Sequence, residues 1–150
     1  MNPKRMVLAV AVVFVTLVVA GFLIHETWLG STYQAMRDDG FSFRTPDAIR
    51  HRLWFIWLSD LLYAILFVWV YNRGREAKPW LGQGLRFGVL MTLFTIVPSA
   101  LNEYATYNLQ HMLVVRWMAA GGVVLVVLGL VVAAICNQDH LNQPGDRKGW

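Results

Sequence analysis

A chain of 150 residues that is 57% hydrophobic and only 15% charged has too few charges to coat a soluble globule, which carries roughly 25%. The formal charge of +4 does not point to nucleic acid, because the basic residues stand at the ends of apolar runs and no binding motif accompanies them. One cysteine, Cys136, excludes an intramolecular disulfide and says nothing about the redox compartment.

Four apolar runs dominate the chain: Met6–Leu29, Leu53–Tyr71, Leu85–Leu101 and Leu113–Cys136. A hydrocarbon core about 30 Å thick takes about 20 helical residues. Only helices or closed barrels satisfy their backbone groups in lipid, and continuous runs without alternation specify helices. The expected fold is all-α: a four-transmembrane-helix bundle in one integral membrane domain over 1–150. Its helices are expected near 6–29, 49–72, 84–106 and 112–136, with a loosely structured polar tail at 137–150.

Lys4 and Arg5 precede the first run in the manner of a signal peptide. The uninterrupted stretch Met6–Ile24 exceeds the usual 7–15-residue core. His25, Glu26 and Trp28 follow it where a small-x-small cleavage site would stand, so a retained helix is expected. The connection Gly30–Ile49 is the longest. Asp38-Asp39-Gly40 predicts a turn there, and Thr45-Pro46-Asp47 a helix start with proline in the first turn. Arg50-His51-Arg52 would then form a basic first turn into the second span.

The link Asn72–Gly84 carries Gly74, Pro79, Gly82 and Gly84, a breaker-rich connection. In the third span Pro98 predicts a kink or an early end, after which the residues turn polar: Ser99, Asn102, Glu103, Thr106, Asn108 and Gln110. Helices in lipid associate through small residues and polar contacts. Ala119, Gly122, Val126, Gly129 and Ala133 align on one side of the fourth span, and Gly84, Gly88 and Thr92 on the third. These two spans are expected to pack closely.

Basic residues near span ends set orientation. Lys4, Arg5, Arg73, Arg75, Lys78, Arg86, Arg147 and Lys148 fall on one side, eight against the five of Arg37, Arg44, Arg50, Arg52 and Arg116. That bias places both termini inside, in the cytoplasm of a bacterial inner membrane. Trp28, Trp54, Trp117, Trp69 and Trp80 stand near the two interfaces as aromatic anchors.

An ionisable residue inside a span is a functional-site hypothesis by default. Asp60 lies near the middle of the second span and is expected to face the bundle interior. His25, Glu26, Glu103, His111 and Arg116 fall in the same outer half. Arg116 is expected to pair with Asp60, Glu26 or Glu103. Three readings of this layer stand: a structural set of ion pairs fixing helix register, a ligand or proton site, and a metal site using His25, Glu26, Glu103 and His111. The metal reading is the weakest. No Glu-x-x-His spacing is present, and adjacent residues on a helix point about 100° apart. No nucleophile arrangement or phosphate-binding glycine loop is found, since Gly82-Gln83-Gly84 lacks the third glycine. No catalytic residue and no cofactor is implied.

Gly84-Leu-Arg-Phe-Gly88-Val-Leu, Pro98-Ser-Ala-Leu-Asn-Glu-Tyr104-Ala, Trp117 and Leu29-Gly30-x-x-Tyr33 resemble, over most of the chain, a group of small bacterial four-helix membrane proteins of unknown function. The resemblance implies a bacterial inner-membrane four-helix bundle and no activity. The functional expectation is a non-catalytic accessory or assembly subunit, held in the lipid bilayer against a protein partner. The alternative is a small transporter or membrane enzyme that uses the outer polar layer.

Overall fold

The computed structural model describes residues 3–76 and 78–141, with side chains described as far as 137. Six helices and no strand occur among the described residues. We label them α1 (Pro3–Trp28), α2 (Gly30–Asp38), α3 (Pro46–Arg50), α4 (Leu53–Gly74), α5 (Trp80–Thr106) and α6 (His111–Leu141). α1, α4, α5 and α6 are each long and apolar enough to cross a membrane, the signature of a multi-pass membrane protein. The last of them continues past Cys136, through the first residues of the segment read as a loose tail; positions 142–150 lie outside the described residues.

Two turns depart from α-helical winding. Pro98 has no N–H for the carbonyl of Phe94, and its ring would crowd that carbonyl. The preceding turn, Thr92–Ile96, widens to π-helical bonding, with Val97 N–H donating to the Thr92 carbonyl, so the helix continues through the proline. The last turn of α1, Leu23–Trp28, is also π-helical, closed by Leu29 N–H on the Ile24 carbonyl at 2.9 Å. That turn carries His25 and Glu26.

The long connection is more ordered than a loop. Residues 30–38 form α2, ended by Gly40 at φ +88°, a left-handed conformation that glycine adopts without strain. Thr45 caps α3, accepting the Ala48 N–H on Oγ1 at 3.3 Å, with Pro46 in the first turn. Arg50-His51-Arg52 ends α3 and turns into α4 rather than starting the span.

α6 is the central helix, packed along α5 and α1, while α4 packs on α1. Gly84, Gly88 and Gly129 meet where α5 crosses α6. A Cβ on Gly88 would stand 2.5 Å from Val126 Cα, and one on Gly84 would stand 2.8 Å from the Gly129 carbonyl oxygen. Gly122 lies higher, against the Thr92 methyl. Ala119 is exposed and lies off this contact. The backbones of α4 and α5 scarcely approach each other. Aromatic rings bridge the gap, Phe87 standing edge-on to Phe67 at 4.8 Å and to Tyr71 at 5.1 Å.

The interior falls into two clusters. Towards the end where α1 begins and α6 closes, Ala9, Val13, Ala64, Phe67, Val68, Tyr71, Leu128, Val132 and Cys136 pack together. We call this the terminal end. At the opposite, loop end, Leu29, Met36, Ala100, Leu109, Leu113 and Val114 form a separate core roofed by Tyr33, Phe41 and Phe43. α4 contributes to the first cluster only from Tyr63 onward. Its outer half, from Trp54 to Leu62, is exposed but for the half-buried Asp60.

Candidate functional site

α2 folds back over the end of α1 and brings Thr32 and Tyr33 onto residues of α6. Tyr33 Oη stands 2.7 Å from His25 Nδ1 and 2.7 Å from Trp117 Nε1. An indole N–H can only donate, so the Tyr33 oxygen accepts from Trp117, and the same hydroxyl shares a hydrogen bond with His25 Nδ1. The imidazole and phenol rings stack at 6.0 Å with 13° between their planes, and Phe43 meets Tyr33 edge-on at 5.3 Å. Three elements are therefore joined through one hydroxyl. Beside it, Arg116 Nη1 donates to Thr32 Oγ1 at 3.3 Å.

Burial pushes the Tyr33 hydroxyl above the usual tyrosine value of about 10. The Trp117 N–H opposes that shift and the Glu103 charge adds to it. A group with a raised folded pKa contributes fully below its unfolded value and loses that contribution as pH rises through the folded one. Alkaline titration is thus expected to show tyrosinate absorbance from Tyr33 appearing late and together with loosening of the loop end. Tyr33→Phe removes the acceptor of Trp117 and the partner of His25. A loss of about 1–2 kcal/mol is expected, measured by reversible unfolding in mixed micelles.

The other residues of the outer layer are dispersed. Glu103 accepts from Ser99 Oγ at 3.3 Å, one turn along its own helix. Glu26 and His111 are exposed. Asp60 is half-buried on the inward stripe of α4 and has no hydrogen-bond or ion partner among the described residues. Arg116 therefore reaches Thr32, which α2 brings over α6, and makes no ion pair with Asp60, Glu26 or Glu103 among the described residues. Among the described residues no three His, Cys, Asp or Glu side chains converge as a metal site would require.

A second polar constellation, unread in the sequence, closes the terminal end. Gln83 is a buried polar side chain, 8% exposed, and it clamps the α4–α5 link. Its Oε1 accepts the Glu76 N–H at 2.8 Å, while Nε2 donates to the Glu76 carbonyl at 2.8 Å and the Lys78 carbonyl at 2.6 Å. Arg75 Nη1 donates to the Cys136 carbonyl at 2.8 Å and ties the link to α6. On its exposed side Lys78 and Arg86 reach the Glu76 carboxylate at 2.5 and 3.3 Å. They hold its carboxyl below the ordinary glutamate range. The only cue in the sequence is one amide between Gly82 and Gly84 at the head of an apolar helix.

Comparison with family models, curated proteins and solved structures returns no match to this chain, so the resemblance noted above gains no support from them. The class of the protein rests on its four membrane-length helices.

Proposed function

We propose that the protein is a non-catalytic accessory subunit that docks against a larger membrane protein along the outer half of α4. In this reading it resides in a bacterial inner membrane with both termini cytoplasmic, the side that collects eight of the thirteen basic residues. Asp60 is the observation that carries the proposal. Ala64, Phe67 and Tyr71 are buried at helical spacing on α4, and Asp60 is the next position up that stripe. It sits about 10 Å below the start of the helix, within hydrocarbon depth, and this chain offers it no donor among the described residues. A charged carboxylate left so costs about 3 kcal/mol or more. A donor from a neighbouring helix would remove that cost and cover Ile56 and Trp57, each 47% exposed beside it.

The test is photo-crosslinking in native membranes from positions 56 and 57. Adducts with a second protein are expected at both. Their yield is expected to fall severalfold in Asp60→Leu and to persist in Asp60→Asn, whose amide still hydrogen-bonds. Adducts with lipid alone, unchanged by Asp60→Leu, would show that nothing docks on this face.

A further inference from the structure

The gap between α4 and α5 opens to the membrane as a groove of about 460 Å³, lined by Val70, Gly74, Phe87, Leu90 and Phe94 with Arg86 at its terminal-end mouth. Its lining along α5 is apolar from Phe87 to Phe94, eight residues or about 12 Å of helix. Gly74 lies on its edge, where an added Cβ would meet nothing within 4 Å. A second recess of about 330 Å³, lined by Arg75, Glu76, Lys78 and Trp80, shares Tyr71 and Gln83 with the groove as common walls. Three cations, Arg75, Lys78 and Arg86, line the two recesses, where Glu76 is the one carboxylate among the described lining residues. Arg86 gives Glu76 one N–H and is otherwise half-exposed, with further guanidinium donors to offer.

We propose that this groove binds an anionic phospholipid, one acyl chain lying between α4 and α5 and the phosphate held at the mouth by Arg86 and Lys78. The argument is one of complementarity. Basic residues beside an apolar channel at the membrane interface match a phosphodiester joined to a hydrocarbon tail. Trp69 and Trp80 flank the same level, where aromatic side chains favour the headgroup region. Neither zwitterionic lipid nor free phosphate satisfies both halves of the site. Zwitterionic lipid leaves the excess charge uncompensated, and free phosphate leaves the groove unfilled.

The experiment is native mass spectrometry of the full chain released from nanodiscs containing equal phosphatidylglycerol and phosphatidylcholine. Retained phosphatidylglycerol is expected to exceed phosphatidylcholine. Arg86→Gln is expected to cut that excess about fivefold, the worth of one basic residue at an anionic surface. Gly74→Trp fills the groove without altering charge and is expected to abolish retention, while the far-helicity spectrum stays that of the parent. Equal retention of the two lipids would overturn the proposal. So would a preference unmoved by Gly74→Trp, or inorganic phosphate at millimolar concentration displacing the lipid outright, since the tail would then contribute nothing.

Discussion

Gly88→Leu is expected to separate α5 from α6 and leave the protein unable to complete its fold in the membrane, and Gly88→Ala to cost at least 1–3 kcal/mol, the usual range for one added carbon in a packed interior. A Cβ at this position falls 2.5 Å from Val126 Cα and 2.6 Å from the Leu125 carbonyl oxygen. Both are backbone atoms, so no rotamer change relieves the overlap and one helix must move as a body. In lipid this contact is hard to replace, because the surrounding chains offer no hydrophobic incentive for two helices to stay together. Cys136 supplies a native reporter: it is fully buried on α6 in the same cluster as Ala133, which packs near Gly84. Its alkylation in mild detergent should accelerate in Gly88→Ala by about tenfold or more, the equivalent of 1.4 kcal/mol. Gly82→Ala is the matched control. Its Cβ would meet nothing within 4 Å, and its alkylation rate should equal that of the parent.

The spans were legible because membrane thickness imposes a length that apolar runs either reach or do not. Gly84, Gly88 and Gly129 were legible too, since close backbone approach demands missing side chains. Ala119 shows where that logic stops. α6 makes its closest approach to α5 at the glycine crossing, and near its start it turns Leu113 and Val114 into the loop-end core, where α5 offers Ala100. Spacing fixes the depth of a residue on a helix but not the neighbour it meets. The expected Arg116–Asp60 pair failed for that reason, once residues 30–38 wound into α2 and presented Thr32. The π-helical turns leave no periodic trace in side-chain pattern. Pro98 marked the place of one and could not name its form.

Gln83→Leu is the second substitution with a large expected effect, about 3 kcal/mol, at about 1 kcal/mol for each of three hydrogen bonds. Leucine preserves the bulk and the helical preference of the site but provides neither the acceptor for Glu76 N–H nor the donors for two carbonyls. Water reaches the link from outside, so the exposed groups regain partners only when the loop lifts away from α5. Hydrogen exchange at the Glu76 amide should then quicken by about two orders of magnitude, and Cys136 alkylation should rise as Arg75 leaves its carbonyl. Gln83→Glu separates the two halves of the clamp, because a carboxylate accepts from Glu76 N–H and donates nothing. Acid distinguishes the clamp from the ion pairs outside it. The lowered pKa of Glu76 means that its pairs with Lys78 and Arg86 are in force above the ordinary glutamate value and are lost as pH falls through the folded one. The Gln83 bonds fall on backbone groups that do not titrate. Acidification of the parent should therefore release the Lys78 and Arg86 side chains while the Glu76 amide stays protected, and Gln83→Leu should expose that amide at every pH.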